Sequence, residues 1–210
     1  MSTAIPGYRR RPAQARTQER ARRILAAAEE LLVGEGYAAV TTSRVAAVAG
    51  IPVSSLYHLF RDRDSIIDAL VAGYLDRFLD ITDDISSAVE HHTVGLDQVV
   101  SELIDGYASL YRTEPGYRVL WLGGHLDGRL AAKDRDNSSR VAERLRTVLA
   151  EQPEAAHRPE LVALACRVGV EIGDHLLRLA FQENPDGDPA ILEQAKIAVT
   201  AYVRQALTRR

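Results

Sequence analysis

Apolar residues recur every three to four positions along most of this chain, which is the period of an amphipathic α-helix. The clearest run predicts one long helix over residues 64–89, whose apolar face contains Ile67, Leu70, Val71, Tyr74, Phe78, Ile81 and Ile85. Further helices are predicted over residues 96–111, 129–150, 160–182 and 190–208, with a short segment over 117–125. No stretch alternates apolar and polar residues as a half-buried strand does, so we expect an all-α fold.

Glycine and proline mark the breaks between these segments. Pro115-Gly116 is predicted to end the helix over 96–111, and Gly123-Gly124 precedes the next long helix. The run Asn184-Pro185-Asp186-Gly187-Asp188-Pro189 is predicted to be a turn between the last two helices.

Residues 41–63 combine two short helices with the residues that start and stop them. A threonine hydroxyl can cap a helix that begins near Thr42, and Gly50 supplies the left-handed residue that ends it. Pro52 fixes the backbone where a second short helix, over 53–59, begins. This arrangement predicts a helix-turn-helix and makes DNA the first partner to consider.

The second short helix would present a mixed surface. Leu56 and Phe60 lie one turn apart and can anchor it inward. The side chains left for solvent or a ligand are Val53, Ser54, Ser55, Tyr57 and His58. Asp62 can cap a third helix, whose positive end beside Arg61 and Arg63 would favour a phosphate.

Charge is distributed unevenly along the chain. The 210 residues carry a net charge of −3, but residues 1–63 contain ten Arg and no Lys against five acidic residues, a net +5, and the remainder carries −8. Only the N-terminal part would therefore be attracted to DNA. The arginines that precede and begin the first helix form either a solvated tail or a DNA-binding arm: Arg9, Arg10, Arg11, Arg16, Arg20, Arg22 and Arg23.

Composition excludes several other classes of protein. Hydrophobic residues make up 46% of the chain and charged residues 26%, which is typical of a soluble globular protein. No apolar run approaches the ~20 residues that span a bilayer, and the basic N-terminus has no hydrophobic signal segment. The single cysteine, Cys166, rules out an internal disulfide and fits a reducing compartment. We therefore expect a cytoplasmic protein with no membrane partner.

Between residues 16 and 74 the chain reads ILAAAEELLVGEGY, VTTSRVAAVAG, I and LYHLFRDRDSIIDAL in succession. This matches, without a gap, the pattern of the DNA-binding domain of the TetR family of bacterial transcriptional regulators, which the stretch therefore resembles. Two positions depart from the pattern. Arg63 stands where the family usually has lysine, which keeps the charge but changes the donor geometry, and Pro52 stands where a capping serine or threonine is common.

The resemblance implies an N-terminal three-helix helix-turn-helix domain followed by a larger helical ligand-binding and dimerisation domain. With the charge pattern, it divides the chain into a basic arm over 1–15, a DNA-binding domain over 16–63 and the larger domain over 64–210. It implies a homodimer that binds a palindromic double-stranded DNA operator. It also implies a repressor that a small-molecule effector of unknown identity releases from that operator.

The same resemblance implies roles for individual DNA-facing residues. Phosphate contacts are implied for Thr42, Tyr57, His58 and Arg63. Contacts with bases are implied for Arg44, Val53, Ser54 and Ser55. Arg44 has the donor geometry to pair with guanine.

Small residues on the predicted last two helices bear on assembly. Ala165, Gly169 and Gly173 lie four residues apart on one face, and the final helix offers Ala195, Val199 and Tyr202. Glycine inside a helix costs ~1 kcal/mol relative to alanine, so its presence indicates close packing. In the TetR family the last two helices pair with their symmetry mates, and the resemblance implies that these residues form the dimer interface. The alternative is that the two helices only pack within one subunit.

Aromatic and polar residues interrupt otherwise apolar helices at Tyr74, Phe78, Tyr107, Tyr111, Trp121, His125, Glu171 and His175. TetR-family proteins hold a small molecule between the long connecting helix and the following four, and the resemblance implies that these residues line such a pocket. Trp121 and His125, one turn apart, are the first candidates. Glu171 and His175 could recognise a polar group of the ligand or could form a hydrogen bond with each other. The alternative is a plain core, since aromatic residues at helical spacing often only pack.

No catalytic or metal site can be assembled from the sequence. Glu171, Asp174 and His175 could form an acid–base cluster, but no nucleophile on a sharp turn accompanies them. His91 and His92 are adjacent, so on a helix they point about 100° apart and cannot easily bind one ion. We expect no enzyme, no cofactor and no metal. A DNA-binding module that only recruits protein partners stays open, and ligand-dependent release from DNA would separate it from the effector-responsive regulator.

Overall fold

The computed structural model describes residues 12–91, 95–124, 127–150 and 158–208. Every regular element in these ranges is helical, which confirms the all-α prediction. The helices are α1 (Pro12–Glu35), α2 (Thr42–Val48), α3 (Val53–Tyr57), α4 (Arg63–His91), α5 (Leu96–Thr113), α6 (Pro115–Leu122), α7 (Gly128–Ala150), α8 (Pro159–Phe181) and α9 (Pro189–Thr208). The chain divides into two compact units, Met1–Leu70 and Val71–Arg210.

Local signals account for the helices of the first unit. The Thr41 hydroxyl accepts a hydrogen bond from the Arg44 amide at 3.3 Å and caps α2. Gly50 adopts a φ of 63° after α2, as the predicted stop requires. The Asp62 carboxylate accepts a hydrogen bond from the Ser65 amide at 2.8 Å and so caps α4. The predicted helix-turn-helix is therefore present.

The end of α3 differs from the sequence prediction. The helix α3 ends at Tyr57 and not at Leu59, because His58 and Leu59 form a turn that leads to the cap of α4. The first unit extends to Leu70, since the first two turns of α4 belong to it. Ile66 and Ile67 in those turns are fully buried. The basic residues Arg9, Arg10 and Arg11 lie outside the described residues, and α1 begins at Pro12, inside the segment predicted as an arm.

In the second unit, α8 packs along α9 and α7, and α5 packs against α9 and α8. Pro115 does more than end α5, because it is the first residue of α6, a position that needs no amide hydrogen. The predicted turn between α8 and α9 is present, and Asp188 caps α9 through its carboxylate and the Ala190 amide at 2.8 Å. Gly187 is required there: its φ is 80°, and a Cβ would lie 2.7 Å from the ring of Phe181.

Across the ranges that the structure describes, no helix has both the length and the hydropathy needed to cross a membrane.

Candidate functional site

The α3 helix displays the side chains that the sequence assigned to its outer surface. Leu56 is fully buried and anchors the helix, as predicted, while Phe60 is half-buried. Val53, Ser54 and His58 are exposed, and Ser55 is half-buried. Tyr57 is 51% exposed, which is unusual for so large an aromatic residue. An exposed tyrosine beside exposed valine and serine forms a surface that a macromolecule could contact through both polar and apolar groups.

A hydrogen bond joins the start of α2 to the end of α3. The Thr42 and Tyr57 hydroxyl oxygens lie 3.2 Å apart. Two residues that the sequence assigned to the same role are thus brought together, although fifteen positions separate them. The bond uses the hydrogen of one hydroxyl, so the pair keeps one O–H that can donate to a neighbouring acceptor.

Arg44 has a partner that the sequence analysis missed. Its two terminal nitrogens donate to the Glu35 carboxylate at 2.8 and 2.5 Å. This hydrogen bonding lowers the pKa of the Glu35 carboxyl below its ordinary value. Glu35 is the last residue of α1, where the helix dipole disfavours an acid, so the guanidinium offsets that cost. Both side chains remain about half exposed, so Arg44 is accessible from solvent.

Arg63 is held within the first unit. Its Nη2 donates to the Tyr37 carbonyl oxygen at 2.6 Å, and its guanidinium lies 4.1 Å from the centre of the Tyr37 ring. Its neighbour Arg61 is far more exposed and pairs with Asp62 through a hydrogen bond of 2.8 Å. The phosphate contact expected of Arg63 stays a prediction, and Arg61 is the more accessible cation beside α4.

A cavity of about 440 Å³ lies within the second unit, bordered by α4, α5, α6, α7, α8 and α9. Its walls are mostly aliphatic and aromatic. The polar side chains among its described walls are Tyr107, Tyr117, Asp134, Asn137, Ser138, Asp174, Arg204 and Thr208. An apolar cavity of this size with a few polar groups has the form of a site for a small organic molecule.

Five of the predicted pocket residues are at or next to this cavity. Phe78 and Tyr107 line it, 5.0 Å apart between ring centres, and the Tyr107 hydroxyl lies 2.6 Å from that of Thr82. Tyr74, Tyr111 and Trp121 are buried beside it as parts of an aromatic cluster.

Tyr117, which the sequence analysis did not single out, joins that cluster to the cavity. It lines the cavity, and its ring lies 4.2 Å from Trp121 and 4.9 Å from Tyr111. The sequence contained a signal for this role, because Tyr117 lies four residues before Trp121 on the same short helix and residues at that spacing share a face.

Two further predicted pocket residues, Glu171 and His175, are not among the described residues that line the cavity. Glu171 and His175 are exposed, because the inward face of α8 contains Gly169, Gly173 and Asp174. Neighbouring positions on a helix point about 100° apart, so Asp174 faces the cavity while His175 does not. The proposed acid–base cluster of these residues is not assembled. His125 lies outside the described residues.

Asp134 and Asp174 share one guanidinium at the cavity wall. Arg178 Nη2 donates to Asp134 at 3.0 Å and also to Asp174. Trp121 Nε1 donates to the other oxygen of Asp134 at 2.9 Å. Burial raises the pKa of the Asp174 carboxyl, and the nearby Arg178 counteracts part of that rise. The signal for Asp134 and Asn137 was available in the sequence, since both interrupt the apolar stripe of α7.

The small-residue face predicted for dimerisation is packed inside one protomer. Ala165, Gly169, Gly173, Ala195 and Val199 are buried, and Tyr202 is half-buried. A Cβ on Gly169 would lie 3.2 Å from Val203, and one on Gly173 would lie 3.5 Å from Ile104. Close approach of α8 to α9 and α5 within the protomer is a physical reason for glycine at these two positions, and the dimer interface stays a prediction. The opposite surface exposes large apolar side chains, namely Leu164, Leu179 and Ile197.

The other candidates for chemistry are Cys166 and the two adjacent histidines. Burial raises the pKa of the Cys166 thiol to about 12, so it is protonated at neutral pH. His91 is the last residue of α4, and His92 lies outside the described residues. Within the described part of the chain, no group of three metal-binding side chains is present.

The sequence matches two family models. Residues 24–70 match "Bacterial regulatory proteins, tetR family", and residues 94–207 match "Tetracyclin repressor-like, C-terminal domain". No curated protein matches it. Among solved structures, a TetR-family transcriptional regulator from Streptomyces coelicolor is 30% identical, with a TM-score of 0.65 over 89% of this chain and 99% of that chain.

Two more distant structures share the fold. A putative TetR-family regulator from Mesorhizobium loti is 13% identical, with a TM-score of 0.70 over 90% of this chain and 98% of that chain. A TetR transcription regulator from Haloarcula marismortui is 19% identical, with a TM-score of 0.67 over 90% of this chain and 98% of that one.

Proposed function

This chain belongs to the TetR family of transcriptional regulators, which are DNA-binding proteins and not enzymes, and from that premise we propose how it works. It is a dimeric repressor that binds a palindromic operator and leaves it when a small molecule occupies the cavity of the second unit. The observation that carries this proposal is the pairing of an exposed helix-turn-helix surface with an apolar cavity in the same chain.

On the operator, α3 enters the major groove of each half-site. Val53, Ser54 and Ser55 contact bases together with Arg44, whose fork of donors matches guanine. Phosphates are contacted by Thr42, Tyr57, His58 and Arg63. The hydrogen bond between Thr42 and Tyr57 supports a shared role for these two hydroxyl groups. The pair that Arg44 forms with Glu35 supports a fixed direction of approach for its guanidinium.

The basic arm, residues 1–15, contributes further phosphate contacts in this proposal. Its support is the charge pattern, since these residues include Arg9, Arg10 and Arg11 and no acidic residue. Deleting residues 1–15 would reduce the slope of log affinity against log salt, because fewer counterions are released on binding. An unchanged slope would remove the arm from the proposal.

Dimerisation uses the exposed apolar surface of α8 and α9 in place of the glycine face. Leu164 is 48% exposed and Ile197 is 51% exposed, and both belong to the helices that the family pairs between subunits. We expect Ile197→Glu combined with Leu164→Glu to convert the dimer to monomers in sedimentation experiments at micromolar concentration. Each of these side chains stabilises an interface by roughly 1.5–3 kcal/mol when fully buried. Val33→Glu, at a comparably exposed valine of α1, is the matched control and leaves the dimer intact.

Release from the operator acts through α4. This helix begins in the first unit with the capped turn at Arg63, and Leu75 and Phe78 of the same helix line the cavity. An effector that binds more tightly when α4 has one orientation shifts the conformational equilibrium toward that orientation. The free energy of this shift is no larger than the difference between the effector's binding free energies for the two orientations. Two recognition helices spaced about 34–36 Å apart fit successive major grooves, so a change in that spacing weakens binding.

The test is a selection of random duplex DNA on the purified protein at two salt concentrations. A palindromic consensus with half-sites about one to one and a half turns apart is expected. Tyr57→Ala should then lose affinity for that consensus. Binding without any consensus would leave only electrostatic attraction from the arginine-rich end and would overturn the proposal. The selected duplex then serves as the probe for effector-dependent release.

A further inference from the structure

The cavity of the second unit has two chemically different ends. The helix α7 lines it from Asp134 to Leu149, a distance of about 22 Å at 1.5 Å per residue. Near Leu149 the wall is aliphatic, since Leu145, Leu149, Val170 and Leu207 pack together beside the buried Cys166. A molecule that fills the cavity is therefore elongated and apolar along much of its length.

The Asp134 end is aromatic and acidic. Trp121, which donates to Asp134, stacks on Tyr117 at 4.2 Å, and Tyr117 lies 5.2 Å from Phe78. Phe78 in turn lies 5.0 Å from Tyr107. Three of these rings, those of Phe78, Tyr107 and Tyr117, line the cavity together with Asp134 and Asp174. The negative faces of such rings attract cations.

This end of the cavity carries one negative charge in excess. Arg178 contacts both Asp134 and Asp174, so two carboxylates share one guanidinium. Arg204, the arginine among the described residues that line the cavity, is bound to both oxygens of Asp97 at 2.9 and 2.8 Å. Burial is the main cause of the raised pKa of the Asp174 carboxyl, Arg178 opposes that rise, and the neighbouring acids Asp134 and Glu171 add to it.

An unpaired acceptor lies beside the two carboxylates. Asn137, one turn after Asp134 on α7, is only 7% exposed and lines the cavity. Its side-chain oxygen has no hydrogen-bond partner among the described residues. A buried carbonyl oxygen without a donor is costly, and a ligand that carries N–H groups would satisfy it.

We propose that the effector of this regulator is a cationic amphiphile whose protonated amine pairs with Asp174 and whose apolar body occupies the aliphatic end of the cavity. The inference rests on the proposed function only in taking the cavity as the effector site. An ammonium group would offset the excess charge, donate to Asn137 and lie against the aromatic rings. A carboxylate head would instead add a third anion beside Asp134 and Asp174, and an alcohol would leave the excess charge in place.

Three probes with the same ten-carbon chain separate these possibilities: n-decylamine, n-decanol and n-decanoate. Trp121 is the single tryptophan of the chain and donates to Asp134, so its fluorescence reports binding at this end of the cavity. We expect n-decylamine to bind the full-length protein at pH 7 at least about tenfold more tightly than the other two probes. Equal or tighter binding of n-decanol or n-decanoate, or no binding of any probe at millimolar concentration, would overturn the proposal.

The variant Asp174→Asn should abolish the preference for the amine while n-decanol binds as before, which also shows that the variant is folded. If Asp174→Asn does not bind n-decanol, Asp134→Asn is used in its place to test whether removing one carboxylate abolishes the preference for the amine. Glu171→Gln is the matched control, because it removes an exposed acid from the same helix. This variant should keep the preference for n-decylamine. An amine preference that survives both aspartate substitutions would overturn the inference.

These titrations contain no DNA, so their outcome is separate from that of the operator selection. If n-decylamine binds as expected but does not release the selected duplex, the ligand class stands and effector-dependent release fails. If release occurs with n-decanoate in place of n-decylamine, the proposed function stands and the ligand class fails.

Discussion

The two units of this protein hold their candidate chemistry in opposite places. In the first unit the buried side chains are aliphatic, among them Ile24, Leu32 and Leu56, while Tyr57 and its polar neighbours are exposed. In the second unit the aromatic residues Tyr111 and Tyr117 are buried beside a cavity. A surface that binds a macromolecule needs no interior space, whereas a site for a small molecule needs unfilled volume inside the core. The first unit can therefore pack fully, and the second cannot.

The same difference is visible in how polar groups are satisfied. In the first unit polar groups form local caps and exposed pairs, such as Ser65 with Asp62 and Arg44 with Glu35, although Arg63 Nε is buried without a hydrogen-bond partner among the described residues. In the second unit two carboxylates share one guanidinium, and Asn137 keeps an unpaired oxygen. Interiors ordinarily pair their buried polar groups, so an unpaired polar atom on the cavity wall is a candidate contact for a ligand. Three substitutions test this comparison.

The largest effect is expected from Leu56→Ala in the core of the first unit. Leu56 is fully buried, so its truncation should cost about 2–5 kcal/mol of the free energy of unfolding of that unit. Far-ultraviolet circular dichroism follows all helices, whereas the fluorescence of Trp121 follows only the second unit. In urea we expect an early transition by circular dichroism while the fluorescence transition is unchanged. Leu177→Ala, at a buried leucine of α8, is the control that should move the fluorescence transition. Coincident shifts of both signals would show that the units unfold as one.

A smaller effect is expected from Gly169→Leu in the second unit. A Cβ at this position already lies 3.2 Å from Val203, so a leucine should overpack the contact of α8 with α9 and cost about 1–3 kcal/mol of stability. Urea unfolding followed by Trp121 fluorescence measures this loss. Gly73→Leu is the matched control, because Gly73 is helical and exposed with open space around its Cα. A stable but monomeric Gly169→Leu protein would instead place the glycine face between subunits.

The smallest effect is expected from Tyr57→Phe on the exposed surface of the first unit. The substitution removes only the hydroxyl that pairs with Thr42, so stability should change by less than about 0.5 kcal/mol. Operator affinity should fall by about threefold to tenfold, which corresponds to one hydrogen bond of roughly 0.5–1.5 kcal/mol. Fluorescence anisotropy of a labelled operator measures the change. Tyr202→Phe in α9 is the control, and equal affinities for the two variants would contradict the role given to Tyr57.

The contrast between the units also explains which sequence predictions were confirmed. Thr41, Gly50 and Asp62 act on residues at most four positions away, so the helix-turn-helix was predictable from short-range rules. The ion pair between Arg44 and Glu35 was not predictable from short-range rules. The two residues are only nine positions apart, but they meet because the chain turns between them. On α8 the sequence shows both a small-residue face and a polar face, and nothing local says which of them meets the cavity.

By itself, the sequence determined the all-α class, the positions of the helices and the helix-turn-helix, because helical period, capping and glycine conformation are properties of neighbouring residues. Only the tertiary structure decided the cavity and its polar residues, since a cavity is the space left between helices that are distant in the chain. It also decided the rotation of α8 about its own axis, which turns Asp174 inward and leaves Glu171 and His175 outside. That rotation depends on the sum of contacts with α5, α7 and α9, and no single segment contains it.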